Sequence, residues 1–189
     1  MANFLILHGW GANGRSNWFP WLKTKLETLG HKVYCPNLPN TDNPDQEEWL
    51  NAIRKIDGLK FDENLSIIGH SLGSIAILRI LENLADNERI NKAILVSGFT
   101  RALSISELEN FFKTPFNWKK IQKKANKIFA INSDNDPFVP IEEGELLAEN
   151  LNTRLIVEHG LEHINAGDLG DTFGYKRVLN LLLDRDEHD

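Results

Sequence analysis

Short apolar runs alternate with segments of helical periodicity along the whole chain. Most of these runs are rich in leucine or β-branched residues and end in Gly, Asn, Ser or His. Continuous apolar runs of this length are typical of strands that are buried on both faces of a sheet. The six predicted strands cover residues 3–9, 31–37, 64–70, 92–98, 127–133 and 153–159.

Between the runs, apolar residues recur three and four positions apart, which is the spacing of one helix face. Gly30 suits the end of the first such segment, and Pro44 and Asp45 suit the start of the second. We predict helices over 16–29, 44–57, 72–84, 141–151 and 172–183. This alternation predicts a three-layer α/β fold, in which a mostly parallel six-stranded sheet carries helices on both faces.

The longest predicted irregular segment, residues 98–120, follows the fourth strand. It is rich in large apolar residues, namely Phe99, Leu103, Leu108, Phe111, Phe112, Phe116 and Trp118. Two structures fit this composition: a small cap over a site, or a surface helix packed on the sheet edge. Because we find no repeat, low-complexity stretch or linker, residues 1–189 are predicted to form a single domain.

Composition narrows the class of protein. Of the 189 residues, 41% are hydrophobic and 25% are charged, as in ordinary globular chains. The formal net charge of −6 argues against nucleic acid as a partner, and the lysines of 117–127 are interpreted as the wet face of a helix. Cys35 is the only cysteine and is predicted to be a buried structural thiol, so no intrachain disulfide can form and a cytoplasmic location is predicted.

Membrane and metal chemistry are not indicated by the sequence. The start, MANFLILHGWG, lacks the cationic region and long apolar core of a signal peptide. No apolar run approaches the roughly 18 residues of a membrane span, so we predict no membrane association. Because metal-ligating residues do not cluster in the sequence, a metal-dependent mechanism is not expected.

The pentapeptide GHSLG (69–73) lies where the third predicted strand meets the helix that follows it. A sharp strand-to-helix turn brings two backbones together, and glycine at Gly69 and Gly73 avoids the clash of side chains. The turn exposes the Ser71 hydroxyl near a helix amino terminus, where developing negative charge is favoured. Ser71 is therefore the candidate nucleophile; the alternative is a serine that only caps the helix.

A serine nucleophile needs a base and an acid that orients the base, and on this scaffold they follow in the order Ser, acid, His. Asp134 and Asp136 follow the fifth predicted strand, and His159 and His163 follow the sixth. Because the carboxyl ends of parallel strands share one edge of the sheet, both segments converge on Ser71.

Loop chemistry favours one member of each pair. Pro137 fixes the chain beside Asp136, whereas Asp134 suits a turn-capping carboxylate. His163 lies in a loop that can reach across the sheet, while His159 adjoins the strand end. We therefore predict Asp136 and His163 as the catalytic acid and base, and leave Asp134 and His159 as the alternatives.

The backbone N–H groups of Trp10 and Leu72 are the predicted donors to an oxyanion. Leu72 directly follows the candidate nucleophile, and Trp10 lies in the loop LHGWGAN (7–13) after the first predicted strand. Gly9 and Gly11 allow this loop to turn tightly, although a glycine-rich turn without chemistry fits the same residues.

The motifs HGWG, GHSLG, SDNDPFVP and GLEHINAGDLG resemble those of small serine hydrolases of the alpha/beta-hydrolase superfamily, in particular the retinoblastoma-binding protein nine / YdeN-like family. The resemblance covers residues 3 to about 183. It implies an alpha/beta-hydrolase fold with a minimal lid or none, a triad matching Ser71, Asp136 and His163, and no cofactor.

Together these features predict a serine esterase-type hydrolase that cleaves small acyl esters through an acyl-enzyme. Two alternatives stay open: a partner-binding protein with a vestigial triad, and a peptidase, thioesterase or acyltransferase that uses the same triad. The expected partner is a small-molecule acyl substrate, and the sequence neither indicates nor excludes a protein partner.

Overall fold

The computed structural model describes residues 1–165 and 174–185. Within these residues, six strands form one sheet: β1 (Asn3–Leu7), β2 (Lys32–Tyr34), β3 (Leu65–His70), β4 (Ile90–Val96), β5 (Ala125–Ser133) and β6 (Leu155–Glu158). The strand order is β2-β1-β3-β4-β5-β6, and all neighbouring strands run parallel. Each predicted apolar run overlaps one of these strands, with β4 and β5 beginning two residues before their runs, so the predicted six-stranded sheet is confirmed.

The helices occupy the connections between the strands, except the last one, which follows β6. They are α1 (Phe19–Thr28), α2 (Gln46–Arg54), α3 (Leu72–Asn83), a 3-10 helix (Ser106–Phe112), α4 (Trp118–Ile121), α5 (Ile141–Leu151) and α6 (Lys176–Leu183). Asp45 opens α2 as expected, because its carboxylate accepts a hydrogen bond from Glu48 N at 3.0 Å. Part of the predicted helix 172–183, including Phe173, and the end of GLEHINAGDLG from residue 166 lie outside the described residues.

Two apolar cores lie on opposite faces of the sheet. Along β1, Leu5 and Leu7 belong to one core while Phe4 and Ile6 belong to the other, as the alternation of side chains along a strand requires. The first core contains the buried faces of α2, α3 and α5, and the second contains those of α1 and α6. The chain is therefore a three-layer α/β structure.

The strand order reverses between β1 and β3. From β1 the chain crosses to β2 on one side, and it returns to β3 on the other. In open parallel sheets, ligands bind outside the carboxyl ends of the strands at such a reversal. Ser71 follows β3 directly, and the loop of Trp10 follows β1, so both lie at this point.

The segment 98–120 packs against α3 through its 3-10 helix, as a surface element. Leu108 and Phe111 of the 3-10 helix are buried in the core. The buried Arg79 of α3 donates from Nη2 to Phe111 O at 2.8 Å, and its guanidinium lies 3.8 Å from the centroid of the Phe116 ring. The sequence offered a cap over a site or a surface helix on the sheet edge, but the structure has a 3-10 helix and a short α-helix packed on α3.

The structure of the lysine-rich segment 117–127 differs from the expected helix with a solvent-exposed face of lysines. The helix ends at Ile121, and β5 already begins at Ala125. Lys119, Lys123 and Lys127 are exposed, but Lys124 is buried, and its ammonium donates to the carbonyls of Ala85 and Glu88. The interpretation is wrong for Lys124 because the chain turns into the sheet at this residue.

Cys35 is half-buried, and its thiol donates to Gly14 O at 3.1 Å. Burial raises the pKa of this thiol to about 11, which keeps it protonated and supports a structural thiol.

Across residues 1–165 and 174–185, no helix has the length and apolar character needed to cross a membrane. In the same residues, His, Cys, Asp and Glu side chains form no group that could hold a metal ion.

Candidate active site

Ser71 occupies a strained elbow between β3 and α3. Its φ of 54° and ψ of −124° lie in a region that residues other than glycine rarely adopt. A Cβ at Gly69 would lie 2.5 Å from Gly73 C, and a Cβ at Gly73 would lie 2.3 Å from Leu7 O. The two glycines therefore allow the close backbone approach that the sequence predicts.

His163 and Asp136 form a buried pair at the carboxyl edge of the sheet. His163 Nδ1 lies 2.7 Å from Asp136 Oδ2, and the two side chains are 12% and 0% exposed. The other carboxylate oxygen, Oδ1, accepts from Phe138 N and Val139 N, both at 2.9 Å. With all these contacts on Asp136, the ring of His163 is held with Nε2 pointing away from the acid.

The contacts of Asp136 keep its carboxyl ionised. Burial by itself would raise its pKa, but the hydrogen bond and charge of His163 and the two N–H donors outweigh burial. The pKa of Asp136 is therefore lowered from its ordinary value. A carboxylate that is ionised and oriented in this way can stabilise positive charge on an imidazole ring.

The alternative residues form a second histidine–aspartate pair. His159 Nδ1 lies 2.6 Å from Asp134 Oδ2, and these side chains are 82% and 43% exposed. Asp134 Oδ1 also accepts from Gly160 N at 2.9 Å, and this backbone contact is the first cause that lowers the pKa of Asp134. The two pairs therefore differ in their exposure to water, not in the hydrogen bond that joins each pair.

Ser133 and Asn135 join the loop after β5 to the loop that carries His163, a role that sequence reasoning missed. Leu161 N donates to Ser133 Oγ at 3.1 Å, and Glu162 N donates to Asn135 Oδ1 at 2.9 Å. Polar residues at the end of a strand are the only sequence signal for such a contact. The bonds bring the candidate acid and base loops together.

Gly9, in the loop after β1, packs against Ser71. A Cβ at Gly9 would lie 3.0 Å from Ser71 Cβ and 3.4 Å from Ser71 Oγ. Gly11 N and Ala12 N donate to backbone carbonyls. Trp10 N has no acceptor among the residues that the structure describes. The amide of Leu72 is the first of α3 and has no intrahelical carbonyl.

His8 holds the loop after β1 through two hydrogen bonds, a role that sequence reasoning also missed. Its ring is fully buried, Nε2 accepts from Leu38 N at 2.9 Å, and Nδ1 lies 2.8 Å from Gly9 O. Because Nε2 accepts a hydrogen bond, the ring proton lies on Nδ1 and is donated to Gly9 O. Burial lowers the pKa of His8, so the ring is held neutral.

Ser71 Oγ makes no hydrogen bond to another residue in the described ranges. The residue before Ser71, His70, lies beside His163, with the two ring centroids 4.8 Å apart. Catalytic hydrogen bonds are often long in proteins without substrate and tighten when it binds. The structure thus brings Ser71, the His163–Asp136 pair and the loop of Trp10 to one edge of the sheet.

A strained serine at a strand–helix elbow, at the reversal point of a parallel sheet, is typical of the α/β-hydrolases, and the fold of this chain is theirs. Within that class the chain belongs to the serine hydrolase family, whose family model matches residues 4–174.

Relatives and solved structures agree with this assignment. YdeN of Bacillus subtilis (strain 168) is 36% identical over 157 residues, 82% of each chain. Serine hydrolase RBBP9 of Rattus norvegicus is 30% identical over 151 residues, 78% of each chain. The resemblance predicted from the motifs is confirmed.

The crystal structure of the B. subtilis ydeN gene product superposes with a TM-score of 0.90 at 30% identity, covering 97% of this chain and 98% of that one. An esterase from Exiguobacterium antarcticum has a TM-score of 0.68 at 18% identity, covering 97% and 91% of the two chains. The second likeness shows the fold alone.

Proposed function

We propose that this serine hydrolase cleaves small carboxylic esters, with Ser71 as nucleophile, His163 as base and Asp136 as the acid that orients the base. The observation that carries the proposal is the buried His163–Asp136 pair at the same sheet edge as the strained Ser71. The exposed His159–Asp134 pair is less suited to this role, because water screens its charges and competes for its hydrogen bonds.

The chemistry follows from which atoms are occupied. Asp136 holds Nδ1 of His163, so Nε2 is free to take the Ser71 proton as Oγ attacks the acyl carbonyl carbon. The carbonyl oxygen becomes an oxyanion, to which the N–H groups of Trp10 and Leu72 donate. The ester C–O bond then breaks, and the imidazolium returns its proton to the leaving alcohol. Water attacks the acyl-enzyme by the same steps, and the carboxylic acid is released.

The expected substrate has a short acyl chain, as the segment 98–120 is packed on α3. Two exposed aromatic side chains lie on the loops of the site: Phe138 beside His163, and Trp10 in the loop after β1, where its indole donates to Asp42 O. Trp10 is 43% exposed, and Phe138 is 63% exposed with its ring centroid 5.2 Å from that of His163. They offer apolar contact to a small acyl or alcohol group, while the remainder of a long acyl chain would extend into water.

A fluorophosphonate probe tests the nucleophile. The wild-type protein should be labelled, and Ser71→Ala should fold normally and lose the label, while the exposed-serine control Ser106→Ala should keep it. Labelling that persists in Ser71→Ala would disprove the assignment. A wild-type protein that folds but is never labelled would favour the partner-binding alternative.

A series of p-nitrophenyl esters tests the substrate class. Butyryl esters should have a higher kcat/KM than hexadecanoyl esters, because an open site gives little contact to a long chain. Aminoacyl amides and thioesters run beside them test the peptidase and thioesterase alternatives. Faster cleavage of hexadecanoyl esters, or of the amides, would contradict the proposed substrate.

A cytoplasmic location, proposed from the single cysteine Cys35, is tested by fractionating cells.

A further inference from the structure

His70, the residue before Ser71, is buried between the start of α1 and the loop that carries His163. Its side chain is 3% exposed and is packed edge-on against the rings of Trp18 and Phe19, at 6.4 and 6.3 Å between centroids. One ring nitrogen, Nε2, lies 2.7 Å from the backbone oxygen of His163, and the other, Nδ1, lies 3.3 Å from Asn17 Nδ2. Neither contact belongs to the proposed chemical steps.

The partners of His70 determine its tautomer. A carbonyl oxygen can only accept, so Nε2 must carry a proton that it donates to His163 O. The amide nitrogen of Asn17 can only donate, so Nδ1 must accept. A neutral ring with its proton on Nε2 satisfies both contacts. Burial is the main cause that lowers the pKa of His70 to about 3, so the ring stays neutral at physiological pH.

The His163 carbonyl also accepts a hydrogen bond from Ser97 Oγ at 3.3 Å. Ser97 is the residue that follows β4. Both donors therefore come from the rigid sheet, one after β4 and one at the end of β3. The base itself lies in a loop whose neighbouring residues, Glu162 and Ile164, adopt positive φ values of 47° and 50°. Such a loop is strained unless surrounding contacts hold it.

We propose that His70 is a positioning residue that fixes the backbone of the base loop to the strand carrying the nucleophile. The same elbow then sets the position of Ser71 Oγ and, through the adjacent ring of His70, the position of His163. This inference rests on the proposed roles of Ser71 and His163. Its physical basis is that a displacement of about 1 Å between reacting groups can cost about a hundredfold in rate.

Two substitutions separate the hydrogen bond from the volume of the ring. His70→Leu fills similar space without a donor, and His70→Gln keeps an N–H donor on a side chain of similar reach. On p-nitrophenyl butyrate, His70→Leu should lower kcat by about ten- to a hundredfold with KM changed less than twofold, whereas His70→Gln should recover kcat to within about threefold of wild type. Urea unfolding of each variant checks the fold.

Asn17→Asp tests the tautomer without changing the shape of the side chain. A carboxylate can only accept, so it draws the ring proton to Nδ1 and leaves a lone pair of Nε2 facing the His163 carbonyl. The ring then keeps both contacts only when it is protonated. The ratio of the variant's kcat to that of wild type should therefore fall as the pH rises from 5.5 to 9. This readout also serves if His70→Leu does not fold.

If folded His70→Leu keeps more than half of the wild-type kcat, or folded His70→Gln is as impaired as His70→Leu, the positioning role is wrong. A kcat ratio for Asn17→Asp that rises with pH over this range would also overturn it. Failure of the proposed function looks different, because His163→Ala would then keep its activity or Ser71→Ala would keep its probe label.

Discussion

At the scale of single residues, burial distinguishes two pairs that are otherwise alike. Asp136–His163 and Asp134–His159 have nearly the same hydrogen-bond length, 2.7 and 2.6 Å. Water screens the exposed pair, whereas the fully buried carboxylate of Asp136 acts on its histidine at a lower effective dielectric. The same local chemistry therefore produces one pair suited to catalysis and one suited to holding a loop.

Replacing each carboxylate by its amide should separate these roles. Asp136→Asn keeps the shape of the side chain but favours the wrong tautomer of His163, so kcat should fall by up to about four decades. Asp134→Asn should cost about tenfold or less, because it weakens only an exposed loop contact. Initial rates on one activated ester measure both. A larger loss in Asp134→Asn, with folding intact, would reassign the acid.

The matching histidine substitutions provide an independent check. His163→Ala should be nearly inactive, because it removes the proposed base of the reaction. His159→Ala should keep most of the activity, since its side chain is 82% exposed and is paired with the turn-forming Asp134. Rates are compared after circular dichroism confirms that both variants fold. Near-complete loss in His159→Ala alone would contradict the assignment.

At the scale of elements, the β3–α3 elbow depends on backbones that approach too closely for a side chain. Gly73→Ala would place a Cβ 2.3 Å from Leu7 O, and neither backbone can move without disturbing the sheet. We expect the free energy of unfolding to fall by about 3 kcal/mol or more. Urea denaturation measures this change.

Gly98→Ala is the matched control for the elbow. Its Cβ would meet the end of the flexible Leu147 side chain at 2.8 Å, which can rotate away. We expect a loss of about 1–2 kcal/mol. Equal losses in the two variants would mean that the close backbone contact with β1 is not what makes the elbow sensitive.

Arg79 holds the segment 98–120 on α3. Its side chain is buried, pairs with Glu82 at 2.7 Å and donates to Phe111 O. Arg79→Ala leaves those acceptors without their donor, and should cost about 3 kcal/mol and speed hydrogen exchange in residues 106–118. Arg54→Ala, which removes an exposed contact to Asn83 O, should cost about 0.5 kcal/mol or less. Unchanged exchange in Arg79→Ala would show that the segment is held by its apolar residues alone.

At the scale of the whole molecule, buried neutral histidines tie stability to pH. In the folded protein burial lowers the pKa of His70 to about 3 and lowers that of His8. The unfolded chain therefore binds more protons below its ordinary histidine pKa of about 6.5. Stability is full above that pH and is lost progressively as the pH falls towards the folded value.

We expect the free energy of unfolding to fall by about 2–3 kcal/mol from His70 alone between pH 7 and pH 4.5. Urea titrations at several pH values measure this slope, and it should be shallower in His70→Gln, which has no group that titrates there. The same slope in wild type and His70→Gln would assign the acid sensitivity to other groups.

The sequence by itself determined the elements and the candidate chemistry of this protein. Apolar runs and helical spacing are local signals, and they located all six strands and the elbow of Ser71. Chain order and the shared edge of a parallel sheet then limited the acid and base to two carboxylates and two histidines. The motifs were sufficient to identify the serine hydrolase family.

Tertiary structure decided which residues meet. Asp136 and His163 lie 27 positions apart, and only the packing of two loops buries that pair while leaving Asp134–His159 in water. The link from His70 to the His163 carbonyl spans 93 positions and has no local signature. Periodicity and motifs report what each segment prefers locally. Burial and partnership between distant segments depend on how all the layers pack, which is set only when the whole chain folds.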